Sequence, residues 1–238
     1  MRLAALAVSV AAWLAGCTGI GGGPSPVLMA GYDWAGLEAI EMRGMDYAAV
    51  DPVTDFGAYT GVIVDPVEVS LDRDSAPLRP VSAFEYSEND LLKLEEWLGK
   101  IVHERFVDAI RDGPRYSVVQ EPGPGVLRIH ARLVDVRLNA PDLPAPSRTE
   151  HWARSAGEWT LVAELVDAQS GAVVARLVDR WIDPEEQYMQ RMTRVENARA
   201  LQRAADTWAL AVRRHLDVAD IRNRMEGAGE GLRSTGGK

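Results

Sequence analysis

Apolar residues recur at every second position of the segment EWTLVAELVD, residues 158–167, and this pattern constrains the fold most strongly. One face of the segment carries Trp159, Leu161, Ala163 and Leu165. A period of two residues is typical of a β-strand with one face in the core. The turn AQSG follows, and the apolar segment AVVARLVDRWI then returns over residues 172–182. Together the two segments predict a β-hairpin.

The pairing of this hairpin has two consequences. If Glu164 lies opposite Arg176, the exposed face of the hairpin gains a modest cross-strand ion pair. The same register sets Trp159 against Trp181.

Three other segments have strand character. Residues 126–138 alternate in the same way, and residues 116–120 precede them across the turn EPGPG. Residues 58–72 are rich in valine and predict one strand with a bulge at Pro66, because proline cannot donate to a ladder of hydrogen bonds.

Two helices are expected. Ser87 begins the first with a capping-box pattern, and DGP at residues 112–114 ends it. The motif DPEE predicts a second start, with Asp183 as N-cap, Pro184 at the first helical position and Glu186 two positions later. A helical stripe of apolar residues continues to Leu216, as one helix or as two.

These elements predict an α+β two-layer sandwich. We expect a mainly antiparallel sheet of four to five strands, with the two long helices packed on one of its faces. Residues 32–220 form the single domain, within which residues 32–56 are a partly ordered lead-in and residues 139–155 a long exposed loop. Residues 221–238 are a polar, disordered tail.

The N-terminus predicts export. Arg2 precedes a mostly apolar run of twelve residues, Leu3 to Leu14, and small residues follow it. A short basic region, an apolar region and a small-residue site make a secretory signal peptide. A membrane-spanning helix would need about 20 apolar residues.

The sequence LAGC, which holds the only cysteine of the chain, resembles the lipobox of bacterial lipoproteins. The resemblance implies a signal peptide over residues 1–16, cleavage between Gly16 and Cys17, and acylation of Cys17, which makes the lipid bilayer a partner. Residues 17–31 are then the lipid anchor and a flexible linker. In such lipoproteins an aspartate after the cysteine retains the protein in the inner membrane. Thr18 therefore favours the periplasmic face of the outer membrane.

The charge of the chain excludes some partners. The formal net charge is −9 over 238 residues. Nucleic-acid binding requires patches of lysine and arginine, so no nucleic-acid partner is expected.

No motif for catalysis, metal or cofactor binding stands out. The four histidines are not at ligand spacing, and a zinc site needs three or four ligands. No nucleophile elbow, phosphate loop or dinucleotide fingerprint is present in the sequence. We therefore assign no catalytic residue, metal or cofactor, and favour a non-enzyme.

Three residues are candidates for contact with a partner. Trp152 lies in the proline-rich segment PAPSRTEHWARS, and Arg199 and Arg203 lie on the last predicted helix among several other arginines. The arginines form either a solvated face or a dock for an acidic partner.

Several segments also resemble, in order, a family of proteobacterial lipoproteins classed as a domain of unknown function. They are VIVDPVEV, VLRIHARLVDV, AELVDAQSGAVVARLVDR and AADTWALAVRRHLD. The resemblance covers most of residues 17–220. It implies an exported lipoprotein with an α/β domain, and no catalytic residue is carried over.

The leading hypothesis is a non-catalytic envelope lipoprotein that binds or helps to assemble another envelope protein or a cell-wall component. One alternative is an envelope hydrolase of glycan or peptide, with carboxylates from the strand ends or from residues 139–155. Another is a lipoprotein subunit of a transport complex, docking through the sheet edge near Pro66 or through the arginine-rich helix.

Overall fold

The computed structural model describes residues 26–75, 78, 86–141, 143 and 151–234. Its three helices are α1 (Pro26–Ala30), α2 (Glu88–Arg111) and α3 (Arg194–Ser234). The ten strands are β1 (Glu38–Ile40), β2 (Tyr47–Val50), β3 (Gly61–Val64), β4 (Glu68–Leu71), β5 (Ser117–Val118), β6 (Val126–Leu138), β7 (His151–Ala153), β8 (Gly157–Asp167), β9 (Val173–Ile182) and β10 (Gln190–Met192).

Eight strands form one mixed sheet, in the order β1-β2-β9-β8-β6-β3-β5, with β4 also paired to β6. The strands β3 and β4 run parallel to β6, and β5 runs parallel to β3. The predicted antiparallel sheet of four to five strands is therefore wrong. Two misjudged segments account for this: residues 32–56 supply β1 and β2, and residues 58–72 divide at Pro66 into β3 and β4.

The predicted hairpin is confirmed in its register. Glu164 pairs with Arg176 and Trp159 pairs with Trp181 across β8 and β9. The Arg176 guanidinium lies 2.5 Å from the Glu164 carboxylate. Arg176 is buried, so this ion pair is not the exposed one that the sequence suggests.

The first helix is also confirmed. The Ser87 hydroxyl caps α2 by accepting a hydrogen bond of 3.2 Å from the Asp90 amide. The apolar stripe of α2 faces the core. Gly99 lies in this stripe, and a Cβ atom built on it would stand 2.3 Å from the carbonyl oxygen of Val67. The helix can approach the β3–β4 connection closely because this position has no side chain.

The second long helix begins later than predicted. Residues 183–186 are not helical, and Thr193 caps α3 instead: its hydroxyl accepts from the Val195 amide and donates to Glu196. The hydrogen bond from the Thr193 hydroxyl holds the pKa of the Glu196 carboxyl below its usual range. Asp183 is unavailable as a cap because its amide continues the sheet and its carboxylate binds the Ala156 amide. One helix then runs through residues 221–234, where the sequence predicts a tail.

The two long helices cover one face of the sheet, which we call the inner face. Its core includes Leu127, Ile129, Leu161 and Leu177 from the strands, with Phe106 from α2 and Leu201 and Trp208 from α3. On the opposite, outer face, Val162, Val178 and Ala49 are equally buried. A second cover must therefore lie on that side of the sheet.

Residues 26–36, which we call the strap, provide contacts on the outer face. The Trp34 ring meets the Tyr47 ring edge-on at 5.0 Å between centroids. The Arg176 guanidinium stacks 5.4 Å from the Tyr32 ring and 5.1 Å from the Trp34 ring, and it donates to the Asp33 carbonyl. The aromatic rings and the Glu164 carboxylate together compensate the buried charge of Arg176. These contacts are made by Tyr32 to Trp34, at the start of the predicted domain, and the linker over residues 17–31 stays a prediction.

Asp179 joins the inner face of the sheet to α3. Its carboxylate accepts hydrogen bonds of 2.6 Å from the Trp208 indole and 3.1 Å from the Asp46 amide. Burial, together with the neighbouring Asp46 charge, raises the pKa of Asp179 to about 6 against the lowering effect of its two hydrogen bonds.

We expect Gly99→Ala to lower the free energy of unfolding by about 2 kcal/mol, because the added methyl group collides with the Val67 carbonyl. The same substitution in an open helix raises it by about 1 kcal/mol. Equilibrium denaturation measures whether the substitution lowers or raises the free energy of unfolding. Gly123→Ala is the control, since nothing lies within 4 Å of its Cβ position. An increase in stability for Gly99→Ala would show that the helix does not approach the strand this closely.

The raised pKa of Asp179 favours the protonated carboxyl in the folded state. Its contribution to stability is complete below the unfolded pKa of 3.8 and is lost as the pH rises through about 6. A shift of this size corresponds to about 3 kcal/mol, which partial exposure reduces to about 1–2 kcal/mol. Between pH 4 and pH 7.5, the free energy of unfolding of wild type should therefore fall by about 1–2 kcal/mol relative to that of Asp179→Asn in denaturation experiments. A pH-independent difference would contradict the assignment, and Glu96→Gln controls for net charge.

Candidate partner-binding surface

The structure places the three predicted contact residues at one end of the domain. Trp152 lies on β7, and Arg199 and Arg203 lie on successive turns near the start of α3. Gly16 and Cys17 are outside the described residues, so the predicted cleavage and acylation sites have no structural description here.

Trp152 belongs to a two-stranded ribbon rather than to a loop. Strands β7 and β10 pair antiparallel, and Trp152 lies opposite Arg191. The prediction of an exposed loop over residues 139–155 is therefore wrong at its C-terminal end. The ribbon forms because Ala153 and Met192 on its inner side are buried, which leaves Trp152 on the outer side.

Large apolar side chains are exposed on and beside this ribbon. Trp152 is 53% exposed, Tyr188 73% and Met189 60%. Tyr188 and Met189 directly precede β10, while Val195 is exposed at the start of α3 and Ile182 at the end of β9. We call this set, with the arginines around it, the ribbon surface. Exposed apolar groups that adjoin one another mark interaction sites more often than isolated ones do.

A polar cleft of about 190 Å³ lies on the inner side of the ribbon. Arg199, Arg203 and Arg154 line it, together with Asp183, Glu186 and Glu196. The Arg203 guanidinium donates to the buried Asp183 carboxylate at 2.8 Å. Arg199 lies 3.4 Å from the Glu196 carboxylate and stays largely exposed. The cleft therefore brings together two of the predicted arginines with a third that the sequence analysis did not single out.

The three guanidinium groups differ in how strongly they are paired with carboxylates of the domain. Arg203 holds Asp183 and thereby fixes the ribbon end of the sheet to α3. Arg154 is exposed and makes no ion pair within the described part of the chain. Arg199 has only its helix neighbour Glu196, and such exposed pairs contribute little. Arg154 and Arg199 are thus available to bind carboxylate groups of a partner.

The sequence signal for Arg154 was present but weak. Arg154 lies two residues after Trp152 in the same segment. Its place in the cleft depends on the pairing of β7 with β10, which the sequence does not reveal. Tyr188 and Met189 had no periodic pattern, because they belong to the irregular connection between β9 and β10.

The described residues show neither a cluster of metal-ligating side chains nor a membrane-spanning helix. No group of three or more histidine, cysteine, aspartate or glutamate residues in that part of the chain is arranged to hold a metal ion. Among the described helices, none combines the length and the apolar character that a membrane span requires.

Comparison with solved structures finds distant likenesses. One is a crystal structure of a DUF330-family protein from Xanthomonas campestris, with a TM-score of 0.42 and 11% identity, covering 74% of this chain and 93% of that chain. Another is the PelC dodecamer from Paraburkholderia phytofirmans, with a TM-score of 0.36 and 12% identity, covering 74% of this chain and 96% of that chain. Neither likeness bears on function.

No curated protein matches the sequence significantly. A family model does match, over residues 33–212, which include the whole mixed sheet, α2 and the N-terminal part of α3. The chain therefore belongs to the family described as "Protein of unknown function (DUF3313)".

Proposed function

We propose that this protein is a non-catalytic envelope lipoprotein, anchored through acylated Cys17 to the periplasmic face of the outer membrane, which binds another envelope protein through the ribbon surface. The partner segment is apolar and acidic. The observation that supports this most directly is the exposure of Trp152, Tyr188 and Met189 on and beside the ribbon whose inner side carries the cleft with Arg154 and Arg199.

The composition of the ribbon surface suits protein binding. Tryptophan, tyrosine, methionine and arginine are the residues enriched where proteins meet, and aromatic and arginine side chains supply most of the binding free energy. Exposed apolar groups gain about 25 cal/mol per Å² when a partner covers them. Although the chain as a whole is acidic, the exposed Arg154 and Arg199 give this surface two cations that can pair with an acidic segment.

The tether supports an envelope location. The lipobox resemblance makes Cys17 the attachment point, and the described domain starts at Pro26. Nine residue steps at about 3.5 Å each allow a reach of at most about 30 Å. An anchored domain is therefore held close to the bilayer, which favours partners in or near the same membrane.

Of the two docking places considered for a transport complex, the arginine-rich helix is the more accessible. Residues on either side of Pro66 pack against α2, since the Val67 carbonyl contacts Gly99. Arg199 lies at the exposed start of α3. A transport component and an assembly component would thus use the same surface.

Photo-crosslinking in cells tests the ribbon surface. We expect a benzophenone amino acid at Tyr188 to capture one dominant envelope protein, and the same group at Leu92, which is exposed on α2, to capture none. Trp152→Ala and the double variant Arg154→Glu/Arg199→Glu should each weaken capture about tenfold, because each removes a main contact. Equal capture of the same neighbours from both positions would contradict the proposal.

The anchor is tested separately in the same cells. Cys17→Ala should stop lipidation and leave unprocessed precursor, which fractionation and gel migration detect. If the variant fractionates and migrates like wild type, the assignment of Cys17 as the lipid-attachment residue is wrong. The result at Tyr188 in the wild-type chain still decides whether the ribbon surface binds a partner.

A further inference from the structure

The inner face of the sheet is wider than its helical cover. Seven strands lie side by side from β1 to β5, and strands are about 4.8 Å apart, so the sheet spans about 29 Å. Two packed helices cover about 20 Å. Helix α2 lies over β3, β4 and β5, and α3 lies beside it over β9. The excess width is therefore at the β1–β2 edge.

Two adjoining cavities occur where this cover ends. One, of about 420 Å³, lies between the turn of residues 41–44 and α3. The other, of about 470 Å³, lies between β1, β2 and the chain around Phe56. Glu41, His215 and Val218 line both, so the two cavities adjoin, and we call them together the groove. Each has the volume of a small-molecule site, about 300–1,000 Å³.

Apolar side chains line both parts of the groove, among polar ones. In the first cavity they are Met42, Leu210, Ala211 and Val218. In the second they are Ile40, Val50, Pro52 and Phe56. The turn contacts α3 at Gly44, whose Cβ position lies 3.3 Å from the Ala211 methyl group, and both residues line the first cavity.

Charge distinguishes the two ends of the groove. Arg43 and Arg214 line the first cavity, and neither makes an ion pair within the described part of the chain. Glu38 and Asp51 line the second cavity and would repel an anion there. A ligand with one negative group and one apolar chain would therefore bind in a single direction.

We propose that this groove binds a long-chain fatty acid. Its carboxylate lies between Arg43 and Arg214, and its alkyl chain follows the apolar side chains past Val218 towards Phe56. Glu41, which adjoins the arginines, selects for a single rather than a double negative charge. The fatty acid covers the part of the inner face that α3 leaves open, and burial of its alkyl chain stabilises the complex.

The size of the site favours one alkyl chain over a partner protein. The two cavities have volumes of about 420 and 470 Å³, which is the size of a small-molecule site, whereas protein interfaces require about 800 Å² of matching surface on each side. The residues of α3 that line this site, within 207–218, do not overlap those that line the cleft of the ribbon surface, so the two are tested by different variants.

Photoaffinity labelling tests the proposal on the mature lipoprotein in phosphatidylcholine nanodiscs. The probe is palmitate with a diazirine in its alkyl chain, and mass spectrometry locates the adducts. We expect adducts within residues 38–56 and 207–218, competed by unlabelled palmitate. Arg43→Ala/Arg214→Ala should reduce labelling about tenfold, since a charge-assisted hydrogen bond is worth at least about 1.4 kcal/mol. The neutral diazirine hexadecanol should label as weakly as the double variant.

Two further variants make the outcome decisive. Val218→Trp narrows the groove where the cavities meet and should also suppress labelling, and it is tolerated because Val218 is 60% exposed. Lys93→Ala, an exposed change on α2, should leave labelling unchanged. Labelling spread over the whole chain, or equal with palmitate and hexadecanol, would overturn the proposal. So would a chemically crosslinked dimer that Val218→Trp abolishes, because the groove would then be a contact between two copies of the chain.

Discussion

The central strands of this domain are buried on both faces, and the rest of the structure follows from that constraint. In β8, Leu161 and Ala163 face the helices, while Val162, between them, is equally buried on the opposite side. Antiparallel sheets commonly leave one face to water. Here the helices cover the inner face, and the strap contributes aromatic rings to the outer face.

The buried Arg176 shows how the outer cover works. A charge in this position is tolerable only with a partner and with its remaining donors satisfied. Glu164 supplies the counter-charge from the neighbouring strand, and Tyr32, Asp33 and Trp34 of the strap supply two ring faces and a carbonyl. The strap is thereby tied to β9 by contacts that a simple linker would lack. Residues 32–34 are accordingly fixed on the outer face.

The two proposed binding places arise where the covers end. At one end of α3, the β7–β10 ribbon leaves the sheet and exposes Trp152 beside a cleft lined by arginines. At the β1–β2 edge, the width of the sheet exceeds that of the helices, and a groove remains. Neither depends on a motif, which explains why sequence patterns indicate partner contact only in outline.

Local signals in the sequence predicted local structure well. The two-residue period gave the β8–β9 hairpin and its Glu164–Arg176 register, and the Ser87 cap gave α2 to within a residue. The DPEE motif failed because Asp183 binds Ala156 and Arg203, both distant in sequence. The strap has no periodicity, since stacking of Tyr32 on Arg176 joins residues far apart in the chain. Such long-range contacts cannot be read from spacing.

The direct test of this account is whether the strap is part of the folded domain. A double-mutant cycle between Trp34→Leu and Tyr47→Leu, measured by equilibrium unfolding of the mature protein, isolates the edge-on contact between strap and sheet. We predict a coupling free energy of about 0.5–1.5 kcal/mol, the usual range for aromatic pairs. Additive effects, within about 0.3 kcal/mol, would contradict the account and leave the outer face of the sheet without its cover.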